Sequence, residues 1–207
     1  MSFVHLHTHT HYSFLQGLGT PKKLVARAKE LGMTAIALTD TGNLYGAFEF
    51  YKYAKEAGLK PIVGVEFTVA IKGRANKDKD NATSQLVLLA QNMEGYRNLI
   101  ELVTISNLTG FYFKPRIDDE LLQKYSNGLI ALSGNHYGEI AQHITTGRPR
   151  DFILKRIAYY QEIFGADKYF LEIIDHPGIG GQERINDALI RLAREENIPL
   201  VATNDSY

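Results

Sequence analysis

Seven short apolar runs punctuate this chain, and their rhythm constrains the fold more than any other feature. They lie at residues 3–11, 34–39, 61–69, 86–90, 129–133, 169–174 and 200–203. The runs lack strict polar alternation, the pattern of parallel strands buried on both faces. Helical segments separate most of them. Thr20 is placed to cap a helix that opens with Pro21, where the missing N–H costs nothing, and Leu24, Ala28 and Leu31 recur at helical spacing before Gly32. A second helix is expected from Tyr45 to Ala57, ending at Gly58, and another from Ile185 to Glu195. Such a β/α series gives a doubly wound open sheet or a closed barrel.

The polar residues favour the barrel. His7 and His9, Asp40, Glu66, Ser133 with Asn135, Glu172 with Asp175 and His176, and Asn204 with Asp205 all fall at or just past the ends of different runs. In a closed parallel barrel the C-terminal strand ends converge on one mouth, where sites are built. An open sheet would spread them along an edge.

The first run, Phe3-Val4-His5-Leu6-His7-Thr8-His9-Thr10-His11, places histidine on every second residue. In a strand all four would project from one side, and neutral imidazole is the commonest protein metal ligand. A row of histidines that merely fill hydrogen bonds is the bland alternative. The chain has no cysteine, which removes disulfides, thiolate zinc sites and thiol nucleophiles together, so a metal must be held by His, Asp and Glu.

Charge excludes a further class. Lys and Arg number 23 and so do Asp and Glu, leaving no global field to hold an anionic polymer; contact with DNA would need a local patch or other domains. With 207 residues the chain suits one domain with a sizeable core. It shows no run long enough to span a membrane and no signal-peptide pattern, so a cytoplasmic protein is expected. Lys72 to Ser84 is charged and small and reads as a solvated, mobile loop, and Gly110-Phe-Tyr-Phe-Lys-Pro-Arg116 places aromatics beside cations, for stacking on bases or for packing a loop. No glycine-rich phosphate loop, nucleophile elbow or internal repeat is present.

Several motifs together resemble a known family. His7-Thr-His9-Thr10, Thr39-Asp40, Gly64-Val-Glu66 and Thr203-Asn-Asp205 are similar to the PHP (polymerase and histidinol phosphatase) superfamily. The stretches Thr39-Asp-Thr-Gly-Asn-Leu-Tyr-Gly-Ala-Phe-Glu-Phe-Tyr51, Gly110-Phe-Tyr-Phe-Lys-Pro-Arg-Ile-Asp118, Leu132-Ser-Gly134 with Gly138-Glu139, and Val201-Ala-Thr-Asn-Asp205 resemble, within it, the N-terminal PHP domains of bacterial DNA polymerase III alpha subunits. The resemblance implies an α/β fold, a distorted (β/α)7 barrel with a metal-binding mouth at the C-terminal strand ends. It also implies a single domain over residues 1–207, cut from a longer polymerase chain. The implied partners are the remaining polymerase domains, a proofreading exonuclease subunit, and DNA through the full-length protein, with no membrane.

Active members carry a three-metal cluster and hydrolyse phosphodiesters with metal-activated water. Position by position, His7, His9, Glu66 and Asp205 match the family's ligands. Gln16, Thr41, Gln85, Asn135 and Tyr207 stand where relatives carry an acid, His, His, Cys or His, and His. Neutral amides and Thr are weak ligands beside imidazole, and Tyr binds only as a costly phenolate. The resemblance therefore implies one divalent ion (zinc, manganese or iron) or none, in a degenerate domain acting as a structural and docking scaffold for DNA replication. The alternative is a 3′–5′ exonuclease or phosphoesterase with a reduced metal site, aided by Asp40 and His176. His5 and His11 are expected to line the strand and the following loop, His136 to stand near the site as a substitute ligand or point elsewhere, and His143 to pack on the surface or a helix.

Overall fold

The computed structural model describes residues 3–176, 178 and 180–207. Six strands form one curled sheet in chain order: β1 (Ala35–Leu38), β2 (Lys60–Ala70), β3 (Thr83–Ala90), β4 (Leu129–Leu132), β5 (Tyr169–Ile174) and β6 (Leu200–Thr203). The helices are α1 (Pro21–Glu30), α2 (Ala47–Ala57), α3 (Met93–Leu108), α4 (Asp119–Tyr125), α5 (Glu139–Thr145), α6 (Arg150–Phe164) and α7 (Gln182–Glu195). The Thr20 side chain accepts from the Lys23 N–H at the start of α1, and Gly58 closes α2 at φ 77°, as their residue types lead one to expect.

Two departures from the expected barrel matter for the site. The first apolar run is extended but is not a regular strand. Its His5 and Thr8 carbonyls accept from Ala37 and Thr39 of the β1 side, while His9 N–H donates to the Ser206 carbonyl at 2.7 Å. The segment thus bridges β1 and the chain beyond β6. Regular laddering is replaced by side chains: the Thr39 hydroxyl accepts from the Thr8 N–H at 2.9 Å and donates to the Thr8 carbonyl at 3.0 Å.

The second departure is β3, which runs antiparallel to both β2 and β4 instead of continuing a parallel series. No helix crosses over between β2 and β3. Instead Asn81 folds residues 71–82 back on themselves, donating to the Gly73 and Asn76 carbonyls and accepting from the Lys72 N–H. The stretch expected as a solvated, mobile loop faces solvent at most positions and is held at its base by side-chain contacts. Arg74 pairs with Asp118 at 2.8 Å, and the buried Arg116 guanidinium donates to the carbonyls of Gly110, Arg74 and Asn76. Pro115 packs beside Gly42, so the Gly110–Arg116 segment serves loop packing, with Phe111 and Phe113 left exposed.

Period-two alternation then sorts the strands. Leu86 and Leu88 of β3 face the main core under α3 to α7, whereas Val87 and Leu89 join Ala37 and Leu132 in a separate cluster inside the curl. A smaller core seals α1 and α2 onto β1 through Val25, Ile36, Leu38 and Phe50. The apolar cluster inside the curl forms a floor, and the polar ends of the strands stand above it. No helix among the described residues is long and apolar enough to cross a membrane.

Candidate metal centre

The inward positions change character along each strand. Phe170 gives way to Glu172 on β5, Val201 to Thr203 and then Asp205 past β6, and Ile62 to Glu66 on β2. Strand β3 contributes in reverse, because it is antiparallel: its mouth end is its N-terminal end, and Gln85 stands there. The mouth is therefore not built from C-terminal strand ends alone, a correction to the all-parallel expectation.

His7, His9, Glu66 and Asp205 come together, with one donor atom from each lying within 4.8 Å of the others. All four side chains are buried, His7 and Glu66 completely. His7 Nε2 lies 3.3 Å from Glu66 Oε2 and 3.4 Å from Asp205 Oδ1, and His9 Nε2 lies 3.3 Å from Asp205 Oδ1. A tetrahedron with bonds of roughly 2.1 Å has edges of about 3.4 Å. None of these four atoms has a hydrogen-bond partner among the described residues, and an unpaired buried polar atom costs about 1–3 kcal/mol. Three of the six separations match such edges and all lie within 4.8 Å, so two imidazole nitrogens and two carboxylate oxygens of this donor type fit a divalent ion of the zinc, manganese or iron type.

Backbone geometry helps to set this arrangement. Asp205 adopts φ 42°, a left-handed conformation uncommon outside glycine but tolerated by Asp, that turns its carboxylate toward both histidines. Gly134 at φ 80° turns the chain after β4 where a Cβ would meet the Gln85 carbonyl at 2.7 Å, and this brings Asn135 to Asp205.

Gln16, Thr41, Gln85, Asn135 and Tyr207 lie around the same four residues. Thr41 donates to Glu66 Oε1 at 3.2 Å or to Gln16 Oε1 at 2.9 Å, and Gln85 Nε2 donates to Glu66 Oε1 at 3.2 Å. Asn135 Nδ2 donates to Asp205 Oδ2 at 2.6 Å. In each carboxylate one oxygen is thus engaged by protein donors and the other is left free toward the centre. Tyr207 stacks on His9 with ring centroids 4.4 Å apart.

Electrostatics follow from burial against pairing. Burial alone would lower the His7 imidazole, but Glu172, Glu66 and Asp205 outweigh it and hold the group well above its ordinary value. Burial would raise Asp205, yet the His9 and His7 imidazoles beside it and the Asn135 amide bring it down to about 2. Tyr207 is pushed well up, by burial first and then by the Asp205 and Glu66 carboxylates, which disfavours a phenolate ligand.

The two residues expected to assist chemistry are placed differently. Asp40 is buried and fully engaged: Oδ1 accepts from the Thr10 N–H and the Ser13 hydroxyl, and Oδ2 from the Thr10 hydroxyl. His176 is half-buried and lines a cleft with Asp175 and Gln182 that contains none of the four clustered residues. His5 is half-buried, His11 is exposed, and His136 is lowered by burial with its Nδ1 unpaired. His143 bonds Glu139 one helical turn away. Sequence reasoning missed Ser13, Thr203 and the use made of Glu172. Glu172 Oε1 lies 2.8 Å from His7 Nδ1 and also accepts from the Thr203 hydroxyl, while Ser13 Oγ lies 2.9 Å from His9 Nδ1. Glu172 was visible as a polar residue within a strand; Ser13 carries no sequence signal at all.

The PHP domain model matches residues 5–176, most of the chain. The chain belongs to the PHP domain family. PHP relatives include the DNA polymerase III alpha subunit of Borreliella burgdorferi, 43% identical over 208 residues, covering 99% of this chain and 18% of that protein. That of Deinococcus radiodurans is 43% identical over 215 residues, covering 99% of this chain and 16% of the relative. The chain thus spans less than a fifth of these curated relatives. Among solved structures, a candidate metal-dependent phosphoesterase from Bifidobacterium adolescentis superposes with TM-score 0.64 at 15% identity, covering 98% of this chain and 87% of the other. An amidohydrolase from Chromobacterium violaceum gives 0.61 at 15% identity over 98% and 87% of the two chains. At that identity the likeness is one of PHP-type fold.

Proposed function

We propose that this PHP domain is a structural platform of a replicative DNA polymerase alpha subunit and that it holds a single divalent ion in a closed site. The observation that carries the reading is the donor set: four buried ligand atoms converge with free lone pairs, while the remaining oxygens of Glu66 and Asp205 accept from Thr41, Gln85 and Asn135. Structural zinc sites are closed by four protein ligands, whereas catalytic sites keep a position open for water or substrate. A divalent ion bound here would supply positive charge that offsets the buried carboxylates.

The residues of the chain do the rest. His7, His9, Glu66 and Asp205 hold the ion, the neutral side chains at Thr41, Gln85 and Asn135 fill positions that would otherwise carry further ligands, and Tyr207 covers one face of His9. The site then ties the segment before α1 to β2 and to the chain beyond β6. Its role is to brace the barrel on which the other polymerase domains, and with them DNA and a proofreading subunit, are assembled. Polymerisation is carried out elsewhere in the full-length protein, in the cytoplasm.

The test is metal content together with hydrolysis. The purified chain is assayed for bound zinc, manganese and iron and then for release of nucleotides from a 3′-terminated single strand, with and without added manganese. One equivalent of metal and no hydrolysis above a mock preparation is the expected result. Hydrolysis that disappears in the His9→Ala, Glu66→Ala double variant would overturn the structural reading in favour of a phosphoesterase. Absence of any bound or bindable ion would overturn the metal site itself.

A further inference from the structure

We infer that Glu172 and the Ser13–Asp40 pair are positioning residues that fix the tautomers of His7 and His9, presenting both Nε2 lone pairs to the centre. The inference rests on the single-ion reading above and extends it to three side chains that are not ligands in that reading. Ser13 Oγ has one proton and two lone pairs. It lies 2.7 Å from Asp40 Oδ1, and Asp40, as a carboxylate, only accepts, so the Ser13 proton is spent there. The Thr41 N–H donates to Ser13 Oγ at 3.1 Å, taking one of its two lone pairs. Ser13 therefore has only an acceptor left for His9 Nδ1, 2.9 Å away, and the proton of that contact must come from the imidazole. Neutral His9 is consequently the Nδ1–H tautomer, and its Nε2 carries a lone pair.

His7 reaches the same state by a shorter route. Its Nδ1 lies 2.8 Å from Glu172 Oε1, an acceptor, so Nδ1 keeps its proton, and Nε2, which faces Glu66 and Asp205, is the nitrogen that would release its proton and offer a lone pair when an ion binds. Glu172 is itself held, with its Oε1 accepting from Thr203 and its backbone N–H donating to Ser133 Oγ at 2.9 Å. Asp40 is anchored by the Thr10 N–H and hydroxyl at 2.6 and 2.8 Å. Each imidazole is thus backed by a buried carboxylate, directly for His7 and through a hydroxyl for His9. Such partners orient a ligating histidine and raise its basicity, and their loss typically weakens metal affinity about 10- to 100-fold. Asp40, a catalytic candidate by sequence, is on this geometry two bonds removed from any reacting atom.

Two measurements test it. Zinc affinity is read by competition with a chromophoric chelator, and the tautomer of His9 by imidazole nitrogen chemical shifts in the metal-free chain. Ser13→Ala and Glu172→Gln are expected to weaken zinc about 10- to 100-fold, with the melting transition of the metal-free protein still cooperative, while Ser13→Thr, which keeps the hydroxyl, binds as the parent does. Asp40→Ala is the sharper variant. Without the carboxylate the serine proton is free to point at His9 Nδ1, so the tautomer shifts to Nε2–H and zinc affinity falls, whereas Asp40→Asn, whose amide oxygen is held by the Thr10 N–H on the Ser13 side, keeps the tautomer. Should Ser13→Ala fail to fold, Asp40→Ala, Glu172→Gln and Ser13→Thr carry the test. Unchanged affinity in both Ser13→Ala and Glu172→Gln, or an Nε2–H tautomer of His9 in the parent chain, would overturn the inference. A parent chain that binds no zinc but shows the Nδ1–H tautomer at His9 would sink the single-ion reading and leave the positioning geometry standing.

Discussion

The phenol ring of Tyr207 lies flat on the imidazole of His9, with centroids 4.4 Å apart and planes 6° from parallel. The ring covers one face of a member of the buried His/Glu/Asp cluster. Thr41, Gln85 and Asn135 bond to the carboxylates of Glu66 and Asp205 in the same cluster.

Stacking at Tyr207 sets the first expectation. Tyr207→Phe keeps the ring and binds metal as the parent chain does. Tyr207→Ala removes contact worth about 0.5–1.5 kcal/mol and uncovers His9. Chelator competition on the two variants separates the ring from its hydroxyl: equal losses in both would argue that the hydroxyl, and not the stack, matters.

Metal stoichiometry follows from the same geometry. The parent chain is expected to take one zinc per molecule, and at a free concentration about 100 times Kd the ion adds about 2.7 kcal/mol of stability. A variant carrying Thr41→His, Gln85→His, Asn135→His and Tyr207→His should take up more than one. Titration followed by elemental analysis reads both ratios, and a ratio unchanged at one would show that donor identity at these positions does not limit occupancy.

Acid sensitivity is expected at a second buried carboxylate. Burial would raise Glu139, but Arg156 at 2.8 Å and the Tyr160 hydroxyl at 2.6 Å hold it below its ordinary value of 4.5. A carboxylate depressed in the folded state stabilises fully above its unfolded value and loses that contribution as pH falls through the folded one. Glu139→Gln should therefore cost about 1–2 kcal/mol at neutral pH by replacing the charged acceptor of Arg156 and Tyr160 with an amide, Arg156 keeping Asp119. It should also flatten the decline of stability below pH 4.5, read from urea midpoints between pH 3 and 7. An acid limb as steep as the parent's would assign it to other carboxylates.

Arg116 supplies a mechanical expectation. Its guanidinium is buried and serves the carbonyls of Gly110, Arg74 and Asn76. Arg116→Met keeps much of the volume but leaves the Gly110 and Arg74 carbonyls without donors and Asn76 with Asn81 alone, at roughly 2 kcal/mol. Hydrogen exchange should rise across residues 72–82 and 110–116 together. Faster exchange in only one of the two segments would mean that they are not coupled through this side chain.

The sequence by itself determined the elements and half of the site. Apolar runs at 34–39, 129–133 and 169–174 became strands because most of their residues are buried, the run at 200–203 became the more open β6, and His7, His9, Glu66 and Asp205, singled out by their motifs, come together in one cluster. Three things were decided only by tertiary structure. The direction of β3 is one, since a buried apolar run reads the same both ways and only the Asn81 turn reverses it. The conversion of the first run from a strand to a bridging segment is another, set by the Thr39 hydroxyl occupying Thr8's backbone groups. The third is the linkage from Ser13 to Asp40 and from Glu172 to His7, 27 and 165 residues apart in the chain. Hydrogen bonds of that span leave no periodicity, so no local pattern can announce them; they exist only once the curl of the sheet brings the strand ends together.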